Sequence, residues 1–344
     1  MFYYYSYFFF LNLIKKIRYN NIIFYIIFVL MLNIDYPFIQ NFLSEKKNII
    51  ITTHKTPDGD ALGSSLALFH VLSNNHNVHV IVPNEYPHNL KWLPGNDNVI
   101  IYENNEIECD PLINNADLIF CLDFNKLYRV DTMFHIININ PAYKVMIDHH
   151  EEPDHFCDQI LSDSSISSTA ELLYDFIVNL NYKLNKDIAS CLYTGIITDT
   201  GSLRYPNVTN KTHLIVSDLL KLKINHSEIH MNLFDSQNES RLLLLKIILE
   251  NLKIFNERQT ALTYLYEKDL LDCNYKKGDT EGFVNMPLTL KNIKFSAFFI
   301  EFNDGIKMSF RSQGNFDVNL FAKKYFNGGG HKNAAGGVFK FKNM

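Results

Sequence analysis

The chain has 344 residues, 47% of them hydrophobic, which is ordinary for a globular protein and long enough for two domains. Its formal net charge of -5 argues against a long nucleic-acid duplex as partner, since such duplexes are held by basic surfaces. The five cysteines form no C-x-x-C pair and fit a reducing cytoplasm, the expected location.

Residues 1–45 begin as an apolar extension. Its runs MFYYYSYFFFLNLI and NIIFYIIFVLML flank Lys15, Lys16 and Arg18. Neither reaches the roughly 20 residues that a bilayer span requires, and no small-residue cleavage site follows. Met31 restarts the chain, so the expectation is a start read too far upstream, with a peripheral anchor as the alternative.

Residues 46–225 alternate compact β-rich runs with amphipathic ones. Strands are expected at Ile49–Thr53, Val78–Val82, Val99–Tyr102, Leu118–Leu122 and Val145–Ile147, and helices at Ala61–Leu72, Ser167–Leu180 and Lys186–Thr198. That alternation predicts an α/β fold with a doubly wound parallel sheet. Residues 226–258 are expected to link two domains through the amphipathic Leu242–Phe255. Residues 259–344 then form a smaller mixed α/β domain, with strands at Thr260–Tyr266, Ile293–Phe302 and Ile306–Phe310. The last two make a hairpin around Asn303-Asp304-Gly305.

Chemistry gathers at the ends of the apolar runs. His54, Asp58 and Asp60 follow the first strand, Asp123 the fourth, and Asp148-His149-His150 the fifth, while Asp199 closes the apolar run TGIITD. Taken alone, Thr56-Pro57-Asp58-Gly59 is a turn. An EF-hand is excluded because Phe69 stands where its closing carboxylate belongs, and no phosphate-binding P-loop motif occurs. A parallel sheet brings strand ends to one edge, where buried unpaired charges would cost several kcal/mol each. Carboxylates and imidazoles suit Mn²⁺, Mg²⁺ or Zn²⁺, so metal ions relieve the cost. Downstream, the three glycines of Gly328-Gly329-Gly330-His331 let backbone N–H groups approach a phosphate. His331 and Arg311 stand ready to donate to it.

These motifs, in this order and spacing, resemble the DHH phosphoesterase superfamily with its DHH-associated C-terminal domain. Within it the chain is most similar to the oligoribonuclease/pAp phosphatase group. The resemblance covers the chain from about Asn48 onward. It implies two divalent cations, Mn²⁺ foremost with Mg²⁺ or Co²⁺ as substitutes. His54 and Asp58 would hold one, Asp60, His149 and Asp199 the other, and Asp123 would bridge them. His150 would face the scissile phosphate, Asp148 would orient the two histidines, and Arg311, Gly328, Gly329, Gly330 and His331 would bind substrate. The implied partners are short single-stranded RNA or small nucleotides such as 3′-phosphoadenosine 5′-phosphate (pAp), with no long duplex and no membrane. A homodimer is compatible with the family. The alternatives are a cyclic or linear dinucleotide phosphodiesterase and, from another class, a non-catalytic nucleotide- or RNA-binding module. Retention of every ligand position argues against the second.

Overall fold

The computed structural model describes residues 34–235 and 238–341, so the expectations for residues 1–30 and for Met31 lie outside the described residues. The chain divides into two compact units. One holds the chain up to Glu85 and again Trp92–His226, and the other holds Tyr86–Lys91 and everything from Ser227. Among the described residues no helix is long and apolar enough to cross a membrane.

In the first unit, strands β1 (Asn48–Thr53), β2 (Asn77–Val82), β3 (Val99–Ile101), β4 (Leu118–Leu122), β5 (Tyr143–Asp148) and β6 (Gln159–Ser162) form one sheet. All pairs are parallel and the order is β3-β2-β1-β4-β5-β6. This is the α/β, doubly wound architecture that the alternation predicted. Its central strands read as unbroken apolar runs because both faces are covered: Leu118 to Leu122 are all buried, as are Val145, Met146 and Ile147. The strand order reverses between β1 and β4, and a crevice opens at such a point beyond the carboxyl ends of the strands. β6 escaped the sequence reading because its four residues, Gln-Ile-Leu-Ser, carry too little pattern.

Three helices of this unit set the site: α1 (Gly59–Leu72), α2 (Thr169–Asn179) and α3 (Lys186–Asp199). α1 and α3 cross at close range because glycines stand where side chains would collide. A Cβ at Gly63 would lie 2.5 Å from the Cys191 carbonyl oxygen, and one at Gly195 would lie 2.7 Å from Oδ1 of Asp60.

The second unit is built on a mixed sheet of β7 (Lys253–Phe255), β8 (Thr260–Leu265), β9 (Phe295–Phe302), β10 (Gly305–Ser312), β11 (Gly329–His331) and β12 (Ala334–Lys340), in the order β11-β12-β10-β9-β8-β7. Only the β8–β9 pair is parallel. The period-two alternation of β9 divides it between two cores. Phe298 and Ile300 pack with Leu244 and Ile248 of α4 (Glu239–Glu250), so the helix read as a linker is part of this core. Phe295, Ala297 and Phe299 pack with Phe310 and with Ala322 of α5 (Val318–Phe326). β9 and β10 form the hairpin expected around Asn303-Asp304.

Candidate metal centre

His54 directly follows β1 and is 7% exposed. Its Nδ1 lies 2.9 Å from the Lys55 carbonyl oxygen, to which it donates, and this turns Nε2 toward the carboxylates, where it can serve as a ligand. Nε2 sits 3.3 Å from Asp123 Oδ2 and 3.9 Å from Asp58 Oδ2. Asp58 is held by its own helix: as N-cap of α1, its Oδ1 accepts from the backbone N–H groups of Asp60 and Ala61. The turn between them is fixed by Asn84, whose Oδ1 accepts from Thr56 N–H at 2.7 Å.

Asp123 follows β4 with φ at +65°, in the left-handed region that a non-glycine residue occupies only under constraint. Its backbone N–H remains bonded to the Ile147 carbonyl oxygen of β5, and its side chain is 2% exposed. Oδ2 faces His54, while Oδ1 lies 3.6 Å from His149 Nε2 and accepts from Thr169 Oγ1 at 2.9 Å. Burial pushes its pKa up, but the His54 hydrogen bond and then the charges of His150, His54 and His149 outweigh this and hold it far below the usual carboxylate range.

Asp60 is fully buried in the first turn of α1, with the N-terminus of α2 against it. Thr169 N–H donates to its Oδ2 at 2.6 Å and Ala170 N–H to its Oδ1 at 2.9 Å. Burial, and then the charges of Asp123 and Asp199, raise its pKa well above the usual value.

His149 turns Nδ1 toward the Ile166 carbonyl oxygen, and its Nε2 lies 3.1 Å from Asp199 Oδ2 and 4.0 Å from Asp60 Oδ2. Asp199 comes from a helix, as the expected helix Lys186–Thr198 implies. It is the last residue of α3, where the helix dipole disfavours a negative charge. Glycine at 195, one turn back, allows α3 to approach Asp60 closely.

Asp148, fully buried at the end of β5, accepts from His150 twice: Oδ1 is 2.7 Å from Nδ1 and Oδ2 is 3.0 Å from the backbone N–H. It was expected to orient both histidines; its hydrogen bonds go to His150, while His149 leans on Ile166.

The result is two three-residue sets, His54/Asp58/Asp123 and Asp60/His149/Asp199, each with ligand atoms within 4.8 Å of one another. With Asp148 and His150 the site has five carboxylates to three imidazoles, and most of these residues are buried. Such a donor set fits hard divalent cations and is costly without them.

In the second unit, His331 and Arg311 lie in one cross-strand row, each opposite Ala334 on either side of β12. The glycine-rich segment is strand rather than loop. A Cβ at Gly328 would fall 1.9 Å from the Gly336 carbonyl oxygen, and one at Gly330, where φ is +148°, 2.3 Å from that of Ala334. Close strand approach therefore demands glycine at both places. Gly329 is open on that side, its nearest neighbour being Asn319 Oδ1 at 3.7 Å. The same Oδ1 accepts from Gly330 N–H.

Two models of known families match the chain: the DHH family N-terminal domain over residues 48–196 and the DHHA1 domain over residues 261–343. A Streptococcus mutans protein named probable bifunctional oligoribonuclease and PAP phosphatase NrnA is 31% identical over 290 residues, 84% of this chain and 88% of that protein. The chain belongs to the DHH family. Its Bacillus subtilis relative, named bifunctional oligoribonuclease and PAP phosphatase NrnA, is 29% identical over 84% of this chain and 88% of its own length. The crystal structure of an exopolyphosphatase-related protein from Bacteroides fragilis is 42% identical and superposes with a TM-score of 0.85, covering 90% of this chain and 92% of that one. As a DHH family phosphoesterase the chain is a hydrolase.

Two residues of the DHH site went unread in the sequence. Asn84 lies far from any ligand in the chain and carries no local signal. Thr169 fell inside the helix expected at Ser167–Leu180, with no role in the site. The run Ser167-Ser168-Thr169 at the start of that helix was the available clue, because a single N-cap needs only one of its three hydroxyls.

Proposed function

We propose that this protein hydrolyses short single-stranded RNA oligonucleotides to mononucleotides, and pAp to AMP, in the cytoplasm with two divalent cations, manganese foremost. The observation that supports the reading best is Asp123, which offers one oxygen to each of two ligand sets. The relatives named for these two activities supply the substrate class. His54 and Asp58 would hold one cation, Asp60, His149 and Asp199 the other, with Asp123 between them. Bound there, the cations supply an acidified water as nucleophile and neutralise charge on the phosphoryl oxygens.

The remaining work falls to side chains. His150, locked through Nδ1 by Asp148, presents its other ring nitrogen as a donor to a phosphate oxygen or to the leaving oxygen. Because Asp148 takes the Nδ1 proton in its hydrogen bond, it fixes the ring's orientation, and the other nitrogen donates only when the ring carries both protons. Arg311, Gly328, Gly329, Gly330 and His331 bind a substrate phosphate on the second unit, Arg311 by a charge-assisted contact.

The test is a ladder of labelled RNAs alongside pAp and cyclic di-AMP, with the metal-stripped chain and with Mn²⁺ or Mg²⁺ restored. kcat/KM is expected to peak at about two to four nucleotides, because a chain of net charge -5 offers a longer strand no electrostatic track. Rates that climb steadily with length would overturn the proposal. Cyclic di-AMP as the fastest substrate would move it to the dinucleotide phosphodiesterases.

A further inference from the structure

We propose that Thr169 is a positioning residue that fixes how Asp123 divides its two oxygens between the ligand sets, and thereby sets the affinity of the Asp60/His149/Asp199 set for its cation. The inference rests on the two-cation reading above.

The torsion that turns an aspartate carboxylate about its stem is broad and roughly two-fold, so nothing intrinsic holds Asp123 with one oxygen toward each set. The fully buried Thr169 supplies the constraint. Its hydroxyl donates to Oδ1 at 2.9 Å, the oxygen on the His149 side, and leaves Oδ2 facing His54. Each carboxylate oxygen accepts along two directions, so the hydroxyl takes one on Oδ1 and leaves the other for a ligand role.

The same residue reaches the neighbouring set through its backbone. Thr169 is the first residue of α2, where N–H groups have no partner inside the helix, and its N–H goes to Asp60 Oδ2 at 2.6 Å. One residue thus grips a carboxylate from each set. Capping does not require its hydroxyl, because the Ser168 side chain already accepts from Glu171 N–H. The hydroxyl's hydrogen bond goes to Asp123, and that makes the group separable from helix stability.

The experiment titrates metal-stripped wild type, Thr169→Ser and Thr169→Val with Mn²⁺, using calorimetry for affinity and electron paramagnetic resonance to count bound ions. Thr169→Val keeps the branched shape and the amide to Asp60 but removes the hydroxyl. Wild type should bind two ions, and Thr169→Ser both with affinities within about threefold of it. Thr169→Val should keep one ion and bind the other about 10–100-fold more weakly, the usual effect of losing a group that orients a ligand. Near wild-type affinity for both ions in Thr169→Val would overturn the proposal. Equal losses in the Ser and Val variants would also overturn it, since the hydroxyl that Ser retains would then not account for the effect. Should Thr169→Val fail to fold, Thr169→Ala is read by the same criteria. Wild type binding fewer than two ions refutes the two-cation reading itself, and this proposal with it.

Discussion

The two units hold their candidate functional groups in opposite ways. In the first, ligand groups are buried and pinned by donors placed for the purpose: Asp60 by two helix N–H groups, Asp123 by a threonine hydroxyl, Asp148 against His150. In the second, Arg311 and His331 are half-buried on the two strands that flank β12, and Arg311 bonds with one guanidinium nitrogen to its neighbour's carbonyl oxygen. Chemistry tolerates misplacement of a few tenths of an ångström poorly, whereas a long cationic side chain can follow a phosphate. The contrast predicts a split between turnover and recognition.

Three substitutions can break or sharpen it. Asp123→Ala should have the largest effect, with kcat falling at least about 10²–10³-fold because both sets lose a shared member. Metal analysis of the purified variant should find one ion or none per chain, and full loading with normal activity would remove Asp123 from the bridging position. His150→Ala comes next. It should lower kcat by about 10²-fold with both ions retained, as loss of a general acid or phosphate donor does. Arg311→Ala should act on the other side of the split. Losing a charge-assisted contact worth about 1.5–3 kcal/mol should raise KM roughly 10–100-fold and leave kcat near wild type. An Arg311 variant whose kcat falls as far as that of His150→Ala would erase the distinction between the units.

Most of the first unit was legible because its signals are local. An unbroken apolar run ending in His54, Asp123 or Asp148 names both a buried parallel strand and a group at its edge. Asp199 was legible as well: the helix expected at Lys186–Thr198 is observed as Lys186–Asp199, so this carboxylate comes from a helix end. The backbone role of the glycine-rich segment was hidden because glycine serves equally for anion contact and for strand approach. The close approach of Gly328 and Gly330 to β12 adds the second role at those two positions, beside the proposed anion contact. The partners of Thr169 and Asn84 were not legible, because Asp123 and Thr56 stand 46 and 28 residues away from them.

If the proposed cations bind, the surplus of carboxylates in the first unit ties the chain's survival to their supply. On the two-cation reading, an ion present at a hundred times its dissociation constant adds about 2.7 kcal/mol to the folded state for each site it fills. That is a sizeable part of the whole stability of an ordinary domain. A cell short of manganese would then lose more than turnover. The stripped protein would open more often and reach the proteases sooner, so scarcity of the ion would be recorded as scarcity of the enzyme.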